Sequence, residues 1–268
     1  MGGWHHHADE KRRCPMKCIE YGRDHPTAIV LLHGGGLSWW NYREVAELMQ
    51  EEYHVILPIL DGHAGSGRPF TTIESNAEEI IAYIDQHLGG SVLLLGGLSL
   101  GGQILLEILS RRGNICRCAF VESAMVIPSK ITHALVAPAF GSSYGLIRNR
   151  HFARLQFESL HMKPDMFEDY YRDTCRIARS DMIAFMKANT AYALKKTIRH
   201  CPADVRLFIG GKENRGIKRS AALLQTQLSK CSLTVLPGYY HGEFSINHAQ
   251  EYAAAIRDAV RKDHAAES

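Results

Sequence analysis

No stretch of this 268-residue sequence is long and apolar enough to span a bilayer. The polar segment Met1 to Cys14 holds His5, His6, His7, Lys11, Arg12 and Arg13, and no apolar run follows it, so it does not read as a secretory signal. Charge of one sign is also missing: 31 Lys and Arg stand against 28 Asp and Glu, which disfavours an extended nucleic-acid surface. There is no repeated Cys-x-x-Cys pair. Seven cysteines, an odd number, fit reduced thiols in a cytoplasmic chain better than a disulfide framework, and Cys14/Cys18 and Cys116/Cys118 lack a second ligand pair at zinc-like spacing. Internal repeats and low-complexity segments are absent too.

What remains is an ordinary globular composition, 46% hydrophobic, in a chain long enough for one large domain with an insertion. Residues 1–18 read as a flexible leader. Short apolar runs at Ala28–Leu32, Val55–Leu57, Val92–Leu95, Ala119–Val121, Val205–Ile209 and Leu233–Leu236 are too brief for helices and read as strands. Between them lie helical periodicities, for example 39–49, with Ser38 as its cap, Ala77–Leu88 closing on Gly89-Gly90, and Gln103–Ser110. Strands alternating with helices predict an α/β fold with a mostly parallel central sheet, buried on both faces and carrying its ligands at the carboxyl ends of the strands. The rhythm breaks over 126–203, where only helical stretches are found. That segment is expected to be a helical cap between the two parts of the core, 19–125 and 204–268.

The motif that carries chemistry is Gly97-Leu98-Ser99-Leu100-Gly101, set between a strand and a helix. In a nucleophile elbow a serine sits on a sharp strand-to-helix turn, and glycines two residues away on either side avoid collisions with backbone. A serine hydroxyl needs a base within reach and an acid to orient that base. His241, in the loop past the last strand, is the candidate base, with His63 its nearest rival. Glu213, four positions past Val205–Ile209, is the candidate acid and Glu122 the alternative, while a surface ion pair with Lys212 or Arg215 is the competing role for Glu213. The Leu100 N–H, opening a helix, is one expected oxyanion donor, and the glycine loop His33-Gly34-Gly35-Gly36 should supply the second, from Gly35 or else Gly36. Trp39, Trp40, Phe140 and Tyr144 are the expected pocket residues, and their rings lead to the expectation of a small to medium, mostly apolar acyl or alcohol group.

These motifs, in this order, resemble those of the α/β-hydrolase family from about residue 19 to 263. The resemblance implies a helical cap between the sixth and seventh core strands and hydrolysis of a small-molecule ester through a covalent serine intermediate, with no metal or cofactor. Two residues depart from the family pattern: Glu213 stands where Asp is commoner, and Leu98 where many members have His. Thioester, amide and carbon–carbon bond chemistry, or ligand reception without turnover, remain open on the same scaffold. Oligomeric state is not legible.

Overall fold

The computed structural model describes residues 16–266. The elements run β1 (Cys18–Tyr21), β2 (Ala28–Leu32), α1 (Arg43–Met49), β3 (His54–Pro58), α2 (Ile73–His87), β4 (Val92–Leu98), α3 (Leu100–Arg111) and β5 (Cys116–Glu122). Four helices follow, α4 (Lys130–Ser143), α5 (Arg150–Ser159), α6 (Phe167–Thr174) and α7 (Arg179–Ala191). The chain then returns to the sheet with β6 (Asp204–Gly210), α8 (Arg215–Gln227), β7 (Cys231–Leu236), α9 (Glu243–Asn247) and α10 (Ala249–Ala266).

The seven strands form one sheet in the order β1-β3-β2-β4-β5-β6-β7, parallel throughout except for β1, which runs antiparallel to β3. The central strands are apolar because helices cover both of their faces: every residue of β2 is buried. One core cluster joins Leu32 and Leu95 of the sheet with Ile104, Leu105 and Ile108 of α3 and Ile80 and Ile84 of α2, and the other joins Ile29, Leu31, Phe120 and Phe208 with Val45 of α1 and Tyr252 of α10. Parallel registers Leu32↔Gly97, Gly97↔Val121 and Leu98↔Glu122 align the carboxyl ends of β2, β4 and β5. All the loops that follow these strands therefore emerge at one edge of the sheet.

Several expectations need correction. Cys18, expected in the flexible leader, begins β1 and pairs with Pro58, and β1 itself has no apolar alternation to announce it; residues 1–15 of that leader lie outside the described residues. Counted among the described strands, the helical insertion falls between the fifth and the sixth. Ser38 stands before a 3₁₀ turn, Trp39–Tyr42, but its side chain caps nothing; Asn41 N–H bonds the Ser38 carbonyl instead. The expected start of α2, Ala77, is four residues too late. Thr72 Oγ1 accepts from Ser75 N–H, so the helix starts at Ile73.

Candidate active site

Ser99 sits between β4 and α3 with φ +53° and ψ −110°, a backbone conformation that costs a non-glycine residue about 1–3 kcal/mol. The surroundings enforce it. Ser99 N–H donates to Glu122 O at 2.8 Å, and Gln103 N–H donates to Ser99 O at 3.0 Å. A Cβ on Gly97 would lie 2.4 Å from Gly101 O, and one on Gly101 would lie 2.2 Å from Leu32 O. The two glycines thus let α3 start directly against β2 and β4, and this tight start holds the turn at Ser99 in place.

His241 comes from the loop after β7, followed by Gly242 in the left-handed conformation at the N-cap of α9. Glu213 comes from the loop after β6. The two loops are tied together by Gly211 N–H to Leu236 O at 2.7 Å and Lys212 N–H to Tyr239 O at 3.0 Å. This brings both Glu213 carboxylate oxygens to 3.2 Å from His241 Nδ1. A carboxylate only accepts, so the imidazole proton is on Nδ1 and Nε2 keeps its lone pair. Desolvation by the surrounding protein works against charge on His241, yet the hydrogen bond and the negative charge of Glu213, with Glu122 further off, outweigh it and raise the imidazole pKa above its ordinary 6.5.

Glu122 is differently employed. It is buried at the end of β5, where Oε1 accepts from Phe244 N–H at 3.1 Å and both oxygens face Ser245 N–H at 3.3 Å, so it closes the first turn of α9. Burial pushes its carboxyl up to about 7, against the hydrogen bonds from Ser245 and Phe244 and the charge of His241.

Among the described residues, Ser99, Glu213 and His241 line one cavity of about 280 Å³, together with Gly34, Gly35, Leu37, Leu98 and Ile246. The helical insertion adds Ser159, Leu160, His161 and Met162 to the same wall. A larger cavity of about 760 Å³ lies at the opposite end of the sheet, among Ala28, Val92, Cys116 and Asp204, far from these loops. Volume does not identify the site here; the side-chain chemistry does.

The glycine loop is braced by two buried histidines. His33 Nε2 accepts from Leu60 N–H at 3.1 Å and its Nδ1 faces Gly34 O at 2.9 Å; His63 Nε2 accepts from Gly36 N–H at 3.0 Å and its Nδ1 faces Asp61 O at 3.0 Å. Each ring must therefore be neutral and protonated on Nδ1. Burial drives both pKa values down, that of His63 to about 4. With both nitrogens engaged, His63 is no rival to His241 as a base. In the same loop Gly34 N–H is bonded to Asn41 Oδ1 at 3.2 Å, and Gly36 N–H to His63. Of the two candidates named for the loop, Gly36 is thus occupied and Gly35 is not bound in that way.

The expected pocket aromatics are elsewhere. Trp40 is fully buried and donates Nε1–H to Asp173 at 2.9 Å, Trp39 lies under the Arg43 guanidinium, Phe140 packs on the core beneath the insertion, and Tyr144 OH donates to Ile177 O at 2.7 Å. None of them lines the Ser99 cavity. Their apolar bodies serve the packing of the insertion onto the sheet. The residues that do line it, Leu160, His161, Met162, Lys212 and Tyr240, carried no periodic or motif signal beyond the neighbourhood of Glu213 and His241. The competing role for Glu213, an ion pair with Lys212 or Arg215, is not found among the described residues; Glu213 pairs with His241, and Lys212 Nζ lies 3.1 Å from Tyr240 OH.

Compared with known proteins, residues 29–255 match the alpha/beta hydrolase family, and the chain belongs to that family. It is 31% identical over 94 residues to a soluble epoxide hydrolase of Corynebacterium sp. (strain C12), an overlap of 33% of this chain and 31% of that protein. Among solved structures it is similar to a thermophilic esterase from Thermogutta terrifontis, with a TM-score of 0.75 and 17% identity over 92% of this chain and 93% of that one. It is also similar to the enol-lactonase from Burkholderia xenovorans LB400, with a TM-score of 0.78 and 14% identity over 92% and 96% of the two chains. At such identities the structural likeness shows the fold alone.

Proposed function

We propose that this alpha/beta hydrolase is a serine esterase, with Ser99 as nucleophile, His241 as base and Glu213 as the acid that orients it. The observation that carries the reading is the contact of Glu213 with His241 Nδ1, at 3.2 Å from both oxygens, on the wall of the cavity that also holds the strained Ser99. In the proposed reaction Ser99 Oγ attacks the ester carbonyl carbon and its proton passes to His241 Nε2. Negative charge on the carbonyl oxygen is met by Leu100 N–H, which has no helical partner as the first residue of α3, and by Gly35 N–H. Each such donor is worth roughly 3 kcal/mol in the transition state.

Imidazolium then gives its proton to the departing alkoxide, leaving an acyl group on Ser99. Water attacks this acyl-enzyme with His241 again as base, and the acid product leaves. Neither a metal nor an organic cofactor takes part in this scheme. Residues 126–203 act as a cap over the core formed by 19–125 and 204–268. Support for this comes from the insertion's contribution to the cavity and from Phe185 of α7, stacked 4.6 Å from the His63 ring. A cytoplasmic setting accords with the free thiols of Cys18, Cys116, Cys118, Cys175, Cys201 and Cys231. Reaction of the purified protein with a fluorophosphonate, and hydrolysis of short p-nitrophenyl esters by it and by Ser99→Ala, test the assignment.

A further inference from the structure

The cavity beside Ser99 is walled mostly by apolar side chains, Leu37, Leu98, Leu160, Met162 and Ile246, and one lysine stands among them. Lys212 is exposed, and among the described residues no carboxylate lies within ion-pair distance of its ammonium. Its sequence neighbour Glu213 does not serve, because that carboxylate has only 1% side-chain exposure and is turned to His241. The Lys212 ammonium lies 4.5 Å from the centroid of the Tyr240 ring, which it approaches from within hydrogen-bond distance of the hydroxyl. Such a contact offsets part of the rotamer entropy that holding a lysine costs.

Tyr240 is itself fixed. Its N–H donates to Glu243 Oε2 at 2.7 Å, and the His161 ring stacks on it at 3.6 Å with an interplanar angle of 17°. His161 has φ +55°, uncommon for a side chain of this size, and its carbonyl accepts from Asn247 Nδ2 at 2.7 Å. The insertion and the His241 loop thus converge to hold one ammonium, without a counter-ion, on the wall of a small and largely apolar cavity. A lysine so placed is a point charge suited to an anionic oxygen. A cavity of about 280 Å³ is at the small end for ligand sites, so the group it meets belongs to a compact molecule.

We propose that the Ser99 cavity takes a compact ester that also bears a carboxylate, which Lys212 holds while the ester carbonyl meets Ser99. This rests on the serine-esterase reading and adds a substrate class to it. The test uses monoethyl adipate and its neutral counterpart ethyl heptanoate. Wild-type protein should hydrolyse the anionic ester with a kcat/KM at least 10-fold higher; Lys212→Met should lower that ratio at least 10-fold, and Lys212→Arg should keep most of it. A ratio near one in the wild type, or one that Lys212→Met leaves unchanged, overturns the inference.

Calorimetry on the Ser99→Ala protein separates this from the parent reading, since it needs no turnover. Monoethyl adipate should bind, and Ser99→Ala/Lys212→Met should bind it at least 10-fold more weakly. No detectable binding, or equal binding by both proteins, overturns the inference even where Ser99 labels with a fluorophosphonate. Binding that depends on Lys212 in a protein whose Ser99 does not label sustains the carboxylate site and overturns only the ester reading.

Discussion

Glu213 and Glu122 approach the His241 segment from two adjacent strands, but only Glu213 touches the imidazole: both of its oxygens lie 3.2 Å from Nδ1, whereas Glu122 binds the Phe244 and Ser245 N–H groups just beyond. The two carboxylates can be separated experimentally. Glu213→Gln removes the negative charge and puts an NH2 donor in place of one acceptor oxygen, so the side chain no longer enforces the Nδ1–H tautomer, and kcat should fall about 10²- to 10⁴-fold. Glu122→Gln keeps a carbonyl acceptor for α9 and should cost less than about 10-fold. If Glu122→Gln proves the more damaging change in esterase assays, the acid has been misassigned.

The same contact sets the pH dependence. His241 acts as a base only when neutral, and its pKa is raised above 6.5, chiefly by Glu213 against desolvation. The acid limb of kcat/KM should therefore rise with pH through an apparent pKa above 6.5. In Glu213→Gln the raising influence of Glu213 is lost while desolvation and the weaker influence of Glu122 remain, so the residual activity should titrate at a lower pH than in the wild type. Profiles that superimpose would count against Glu213 as the group beside the base.

His63 predicts how stability responds to acid. Its folded pKa, about 4, lies below the ordinary 6.5, so the unfolded chain binds a proton that the folded chain refuses. This group's stability contribution is fully present above about 6.5 and is lost as the pH falls toward 4, up to ~3 kcal/mol for a shift of this size. Urea titrations at pH 7 and pH 4.5 should show His63→Gln less stable at neutral pH, by about 1–3 kcal/mol, with the gap to the wild type narrowing in acid. A gap that stays constant would mean that His63 does not titrate between the two conditions.

Two glycines of the site should respond in opposite ways to the same methyl group. A Cβ on Gly101 would lie 2.2 Å from Leu32 O and 2.6 Å from His33 O, both backbone atoms with no room to withdraw. Gly101→Ala should cost at least ~3 kcal/mol and give little folded protein. At Gly35 the nearest atoms are Leu100 Cβ and Cδ2 at 3.5 Å, an ordinary contact, so Gly35→Ala should fold with a melting temperature within a few degrees of the wild type. Comparable destabilisation of the two variants by thermal denaturation would contradict this.

The sheet was legible because a parallel strand buried on both faces is a short, unbroken apolar run, as at Ala28–Leu32 and Val205–Ile209. β1 was not legible: Cys18–Tyr21 is an edge strand, half-buried along its length, and its composition gives no period. The residues of the elbow, Glu213 and His241 could be named because each stands at the carboxyl end of a recognisable strand, and topology alone brings such ends together. Trp39, Trp40, Phe140 and Tyr144 show where that reasoning stops. Within an all-helical insertion an aromatic that packs on the core and one that lines a cavity have the same spacing, and only the crossing of the helices decides between them. Lys212 escaped for a related reason, since its direction is set by Tyr240 and His161 from two other segments.

The central claim is that Ser99 is the nucleophile, and intact-mass analysis after exposure to a fluorophosphonate tests it most directly. The account predicts a single adduct on Ser99 of the native protein, none after Ser99→Ala, and loss of p-nitrophenyl ester hydrolysis by at least ~10³-fold in that variant. An unlabelled Ser99 in folded protein, or ester hydrolysis that persists in pure Ser99→Ala, would contradict it.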